Sequence, residues 1–148
     1  MKEREHELPQ AAPPGANYVT WVRAGNLLFL GGQLPKWNGE RRYTGKLGRE
    51  YDVPQGREAA RLCALNLLAQ LRAAVGGDWE KVIRCVRVAG YVNATDDFTA
   101  HSQVVDGASD VLVEWLGEAG RHARMAVGAN GLPYGGAVEV EAVFEVRP

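Results

Sequence analysis

The sequence predicts an α+β fold in which two helices pack on one face of a mixed β-sheet. Several short segments alternate β-branched with polar residues, a pattern typical of half-buried strands. Two longer segments instead carry apolar residues at intervals of three or four, as amphipathic helices do. The order strand, strand, loop, helix, strand, helix, strand, strand favours a sheet of roughly four to six strands with both helices on one side.

The composition is that of one globular domain. The chain has 148 residues, of which 46% are hydrophobic and 24% are charged, and this balance suits a single core. Residues 1–16 are charged and then rich in proline and alanine, so we expect a tail or an arm along an edge. Residues 17–148 are expected to form the single domain.

Charge and targeting signals argue against several classes of partner. The 17 basic and 18 acidic residues give a net charge of −1 and are spread along the chain, so we expect no nucleic-acid and no membrane partner. The sequence shows no signal peptide and no long apolar run, which makes the cytoplasm the expected location. Cys63 and Cys85 form no metal-binding pattern; buried free thiols are expected, and no metal site.

The first half of the chain is predicted to contain a hairpin, a loop and a helix. Residues 18–23 and 27–32 are β-rich runs joined by the turn Gly25-Asn26. Residues 33–53 carry scattered glycine, proline and charge, which indicates a loop with room for one short strand. A helix should begin near Pro54, since proline suits a first helical turn, and end at Gly76-Gly77.

The second half is predicted to contain a strand, a helix and two further strands. Residues 82–92 alternate as a strand does, and Thr95, Asp96 and Asp97 are candidate caps of the following helix. Two last strands are expected over residues 123–130 and 137–146. In the final one, Val138, Val140, Ala142, Phe144 and Val146 should face the core, and Glu139, Glu141 and Glu145 the other side.

The second face of this sheet is expected to pair with other copies of the chain. Apolar residues on it, such as Val143, would be exposed in a monomer, and sheets of this kind often bury that face against other subunits.

Some local patterns have simple structural explanations. Gly31-Gly32 and Gly135-Gly136 belong to no phosphate-binding motif, so both are interpreted as turn glycines. No HExxH or GxSxG motif occurs. His122 is predicted to be an exposed turn residue, although its position two residues before Arg124 leaves a functional role open.

The carboxyl-terminal third resembles the signature of the Rid (YjgF) family. In that family an arginine precedes the proline of a Leu-Pro pair by nine residues and a strand glutamate by fifteen; Arg124, Pro133 and Glu139 reproduce both intervals. The segments 18–35, 64–68 and 97–98 are similar to the family's amino-terminal stretch, first helix and entry to the second helix. The resemblance therefore covers most of the chain in the right order.

The resemblance implies a chorismate-mutase-like fold and a homotrimer with three clefts between neighbouring subunits. It implies no metal and no organic cofactor. The activity it implies is hydrolysis of reactive imines or enamines, such as 2-aminoacrylate, to 2-oxo acids and ammonia.

The carried-over residues suit that chemistry. The guanidinium of Arg124 can hold the carboxylate of a small metabolite through two parallel hydrogen bonds. Glu139 can hold or deprotonate the attacking water. Tyr18 and the backbone near Gly32 can orient the rest of the substrate, since glycine permits close approach. Arg124 and Glu139 are thus the candidate catalytic residues, with Tyr18, Gly32 and Arg124 as the candidate binding residues.

Other interpretations stay open at this point. An arginine and a glutamate on neighbouring strands often form a structural ion pair. Ala126 stands where the deaminases often have cysteine, Gly31 replaces the usual serine, and Thr20 replaces glutamine. The protein can therefore be a deaminase or a non-enzymatic binder of small metabolites that uses the same cleft. A ribonuclease is disfavoured by the near-neutral charge and the absence of a histidine pair.

Overall fold

The computed structural model describes residues 1–148 and has the predicted α+β architecture. Seven strands and two α-helices follow one another in the order β1 (Trp21–Ala24), β2 (Leu27–Gln33), β3 (Lys36–Trp37), β4 (Glu40–Arg41), α1 (Val53–Ala74), β5 (Val82–Asn93), α2 (His101–Leu116), β6 (Ala123–Ala129) and β7 (Val138–Val146). Short 3-10 helices precede β1 and β5 and flank β6. Neither α-helix unites the length with the apolar character that crossing a lipid bilayer demands.

Five strands form a mixed sheet in the order β1-β2-β7-β5-β6. Every neighbouring pair is antiparallel except β5 and β6, which run parallel because α2 crosses between them. The short strands β3 and β4 pair separately. The mixed sheet with two helices on one face confirms the predicted fold class.

Helix α1 begins and ends where local signals predicted. The Asp52 side chain accepts a hydrogen bond from the backbone of Gln55, whose side chain returns one to the backbone of Asp52, and Pro54 lies in the first turn. This capping box satisfies amide groups that a helix start leaves free. The helix ends before Gly76, whose φ of 64° suits glycine best.

The predicted cap of α2 was wrong. The helix begins at His101 with Ala100 as its N-cap and no side chain capping it. The Thr95 hydroxyl instead donates to Asp97, and the Thr95 amide donates to the carbonyl of Leu47. These local bonds hold the capping candidates in a turn that ends before the helix begins at His101.

The core lies between the helices and the sheet. Side chains of α1, α2, β5 and β7 form one cluster that includes the fully buried Leu67, Leu112 and Phe144. Cys63 and Cys85 are free and buried, as predicted, and burial raises the pKa of both thiols, that of Cys85 to about 12. Strand β7 alternates as expected, with every second residue buried from Val138 to Val146.

The other face of the sheet has no covering layer in a single chain. Val22, Phe29 and Met125 are 52%, 44% and 54% exposed on this face. Phe29 pairs with Val143 across β2 and β7, so the apolar surface continues over several strands. Contiguous apolar surface of this kind is typical of protein interfaces.

Residues 1–16 form an amino-terminal arm that lies along the helices. The indole of Trp79 donates a hydrogen bond to Glu5, which also pairs with Arg72 of α1. Further along, the side chain of Gln70 donates to the carbonyl of Ala12. The arm is therefore fixed by specific polar contacts, although its composition alone predicted little order.

Candidate functional site

Three of the four predicted site residues line one cavity, which we call the Glu139 cavity. Tyr18, Gly32 and Glu139 surround a space of about 190 Å³ at the end of β2. The arm contributes one wall and the loop after β6 another. The remaining lining residues are Ala12, Pro13, Gly15, Ala16, Thr20, Gln33, Leu34, Lys36, Pro133 and Tyr134.

Glu139 is the half-buried acid of this cavity. It projects from β7 on the face opposite to the helices, between the buried Val138 and Val140. Burial raises the pKa of Glu139, the nearby Glu141 raises it further, and Lys36 acts in the opposite direction. No hydrogen bond from the chain contributes to the stability of its charged form. A carboxylate with these properties is suited to accept a proton from water.

Gly32 and Tyr18 are placed close to this carboxylate and to the arm. A Cβ at Gly32 would lie 2.9 Å from Oε2 of Glu139 and 3.0 Å from its Cδ, so glycine gives the glutamate its space. The Tyr18 hydroxyl accepts a hydrogen bond of 3.2 Å from the amide of Gly15. The residue is 53% exposed and lines the cavity.

Arg124 lies elsewhere in the chain and is held by α2. Its Nη1 donates to Asp106 at 2.8 Å and to the hydroxyl of Ser109 at 3.1 Å, and its Nη2 donates to the carbonyl and the hydroxyl of Ser102. Four of the five guanidinium N–H groups are thus engaged, and only 18% of the side chain is exposed. Nη1 of Arg124 is therefore already paired with the carboxylate of Asp106.

A single chain does not bring Arg124 and Glu139 together. Arg124 pairs with Val88, which pairs with Ala142, three residues from Glu139 along β7. Two strand spacings of about 4.8 Å and three residue steps of about 3.3 Å place their Cα atoms roughly 14 Å apart. The two side chains also leave opposite faces of the sheet, since Arg124 contacts α2 and Glu139 does not.

Sequence reasoning missed the residues that surround Arg124. Ser102, Asp106 and Ser109 lie at positions i, i+4 and i+7 of α2, which places them on one side of the helix. This spacing could have indicated a polar cluster on one side of α2, but a polar stripe of this kind is also typical of a solvent-exposed helix face.

The prediction that His122 is an exposed turn residue was wrong. His122 is half-buried; its Nδ1–H donates to the carbonyl of Gly120 at 2.6 Å, and its Nε2 accepts from the hydroxyl of Ser109 at 2.8 Å. Burial lowers the pKa of His122, and the charge of Arg124 lowers it further. Ser109 therefore links the histidine to the guanidinium.

The positions that depart from the family pattern are Thr20, Gly31 and Ala126. Thr20 lines the Glu139 cavity, and its carbonyl accepts a hydrogen bond from the amide of Gly31. Ala126 lies on β6, two residues after Arg124 and half-buried on the same face.

No group of three or more histidine, cysteine, aspartate or glutamate side chains is arranged to hold a metal ion.

Comparison with known families identifies the chain's relatives. A family model described as "YjgF/chorismate_mutase-like, putative endoribonuclease" matches residues 3–144. The chain belongs to the Rid (YjgF) family. The match includes most of the amino-terminal arm as well as all strands but the end of β7.

Relatives within the family differ in how closely they match. Protein TCP17 of Trypanosoma cruzi is 46% identical over 142 residues, which are 95% of this chain and 88% of that protein. A solved structure from Shewanella oneidensis MR-1, described as "a putative endoribonuclease", has a TM-score of 0.93 at 34% identity, and the match covers 99% of both chains. RidA from Psychrobacter sp. PAMC 21119 is more distant, with a TM-score of 0.62, 25% identity and coverage of 92% and 94%.

Proposed function

We propose that the protein hydrolyses small reactive imines or enamines that carry a carboxylate, of the 2-aminoacrylate type, to 2-oxo acids and ammonia. The observation that carries the proposal is Glu139, a half-buried acid with a raised pKa on the wall of a cavity of about 190 Å³. A space of that size suits a metabolite smaller than a typical drug-sized ligand. This is also the activity that the family resemblance implies.

The reaction uses the cavity residues in a defined sequence. Glu139 accepts a proton from a water molecule as the water oxygen bonds to the imine carbon. Glu139 returns this proton to nitrogen, which gives a carbinolamine. The hydroxyl proton of the carbinolamine then passes to nitrogen through Glu139 as the C–N bond breaks, and ammonia leaves as the C=O bond forms. The Tyr18 hydroxyl and the backbone at Gly32 orient the substrate. The reaction as written uses no metal and no organic cofactor.

Arg124 is proposed to bind the substrate carboxylate from a neighbouring copy of the chain. Because Arg124 and Glu139 leave opposite faces of one sheet, they can share a small substrate only where two subunits meet. We therefore propose a homotrimer with a cleft between each pair of neighbours. The uncovered apolar face, which includes Phe29 and Val22, supports the assembly. On binding, the substrate carboxylate replaces the half-exposed Asp106 on Nη1.

The proposal is tested through Glu139→Gln, which keeps the shape of the side chain and removes its basicity. With freshly generated 2-imino acids, the catalysed release of ammonia should fall at least about 100-fold, since general bases contribute that much or more. Glu145→Gln is the matched control, because Glu145 lies on the same strand and face but outside the Glu139 cavity. Equal rates for the Glu139 variant and the native protein would rule out its role as the base.

A non-enzymatic role is the second candidate, because Ala126 replaces a cysteine that often holds the water in the deaminases. In that case the cleft binds a 2-oxo acid without converting its imine. Calorimetric binding of pyruvate together with no acceleration of ammonia release would select this function over hydrolysis.

A further inference from the structure

Lys36 places a positive charge on the wall of the Glu139 cavity. The residue belongs to β3 and is half-exposed, and it lines the same space as Tyr18 and Glu139. No carboxylate lies within ion-pair distance of its ammonium group in the chain. Glu40, the acidic residue nearest to it in sequence, pairs with Arg42 instead.

The backbone of Lys36 is held firmly. Its carbonyl accepts a hydrogen bond of 2.7 Å from the side-chain amide of Asn66, a buried residue of α1. The preceding Pro35 is buried, and β3 pairs with β4. The ammonium is therefore carried by a fixed backbone and moves only through its own side chain.

The wall of the Glu139 cavity carries one cation, Lys36, and one base, Glu139. Lys36 is close enough to Glu139 to favour the charged carboxylate, but the two groups form no ion pair. Since both residues line the cavity, a guest there would lie beside a cation as well as a base. An ammonium that faces a confined space is stabilised when an anion replaces its water.

We propose that Lys36 binds a second acidic group of the substrate, so that the protein prefers imines derived from dicarboxylic amino acids. The proposal rests on the proposed function, in which Arg124 of a neighbouring copy already holds the carboxylate next to the imine carbon. Since Asp106 neutralises Arg124 in the free protein, Lys36 is the cation of the site with no partner of its own. A monocarboxylic guest leaves that charge unpaired.

The test compares two imino acids with the same five-carbon chain. 2-Iminoglutarate and 2-iminopentanoate, each generated in place by a flavin-dependent amino-acid oxidase, differ in the second carboxylate. The native protein should favour the diacid in kcat/KM by about 10- to 100-fold, as one charge-assisted hydrogen bond does. Lys36→Met should bring this ratio close to one, and Lys36→Arg should keep most of it.

Lys81→Met is the matched control, because Lys81 is exposed and distant from the Glu139 cavity; it should leave the ratio as it is. A native ratio near one would overturn the proposal, and so would a Lys36→Met variant that keeps the native preference. Dissociation of the oligomer in Lys36→Met would also overturn it, since the ammonium would then serve a subunit contact.

A binding measurement separates this inference from the proposed function. If the proposed function fails, no imine is hydrolysed, yet 2-oxoglutarate should still bind more tightly than 2-oxopentanoate, and Lys36→Met should remove that difference. If the inference alone fails, both imines are hydrolysed at similar rates through Glu139, and the two 2-oxo acids bind equally.

Discussion

If the proposed homotrimer forms, trimers that combine Arg124→Ala chains with Glu139→Gln chains should recover activity that each variant lacks alone. The reason is geometric, since the two residues lie roughly 14 Å apart on opposite faces of one sheet. A site built between copies takes Arg124 from one chain and Glu139 from the next. Every mixed trimer, whichever chain is in excess, then contains one interface at which both residues are native.

The expected recovery is about one third of native activity per trimer, because a cyclic trimer has three such interfaces. The two variants would be co-expressed with different affinity tags and purified over both tags in turn, and ammonia release would be measured on 2-imino acids. Melting temperatures would show that both chains fold. Mixed trimers as inactive as the single variants would refute the shared site, provided that each variant alone is inactive and the native protein is active.

Three further changes test separate parts of the site. Asp106→Asn removes the carboxylate that competes for Arg124, so KM for a 2-imino acid should fall about 2- to 5-fold, the range of a partly exposed ion pair; an unchanged KM would exclude that competition. Glu141→Gln removes a charge that raises the pKa of Glu139, and since the base acts only when ionised, the acid limb of the rate profile should move to lower pH; a shift to higher pH would contradict this. Gly32→Ala would place a methyl group 2.9 Å from the Glu139 carboxylate and should lower kcat with little loss of melting temperature. Gly31→Ala is the control: the nearest atom to its methyl group would be 3.5 Å away, so it should change neither kcat nor melting temperature appreciably.

Much of the fold could be predicted from the sequence, because its main signals are local. The limits of α1 follow from Asp52 and Pro54 at the start and from Gly76 at the end. The alternation of β7 defines its buried face without reference to any other element. The start of α2 was missed, because Thr95 bonds to Asp97 and to the distant Leu47, and no pattern in the sequence reveals such a choice of partner.

The site was predicted less completely, since its parts meet only through tertiary structure. Tyr18, Gly32 and Glu139 were identified through the family resemblance, and the structure places them around one cavity. The engagement of Arg124 by α2 depends on how a helix packs over an edge strand, which residue spacing leaves undetermined. Lys36 lies in a segment predicted as loop, and only the folded chain shows that this residue lines the cavity.

The arm has a consequence for how selectivity can change within this fold. Residues 12–16 contribute to one wall of the cavity; Ala12 is held by Gln70 of α1, and none of these residues belongs to a strand. A strand position is fixed by the register of its neighbours, whereas a terminal segment tolerates changes in length and composition. Related chains that keep the strands and differ at the amino end should thus admit guests of different size. Exchanging this segment between two such chains should change which small molecules bind in the cavity, without changing the catalytic residues.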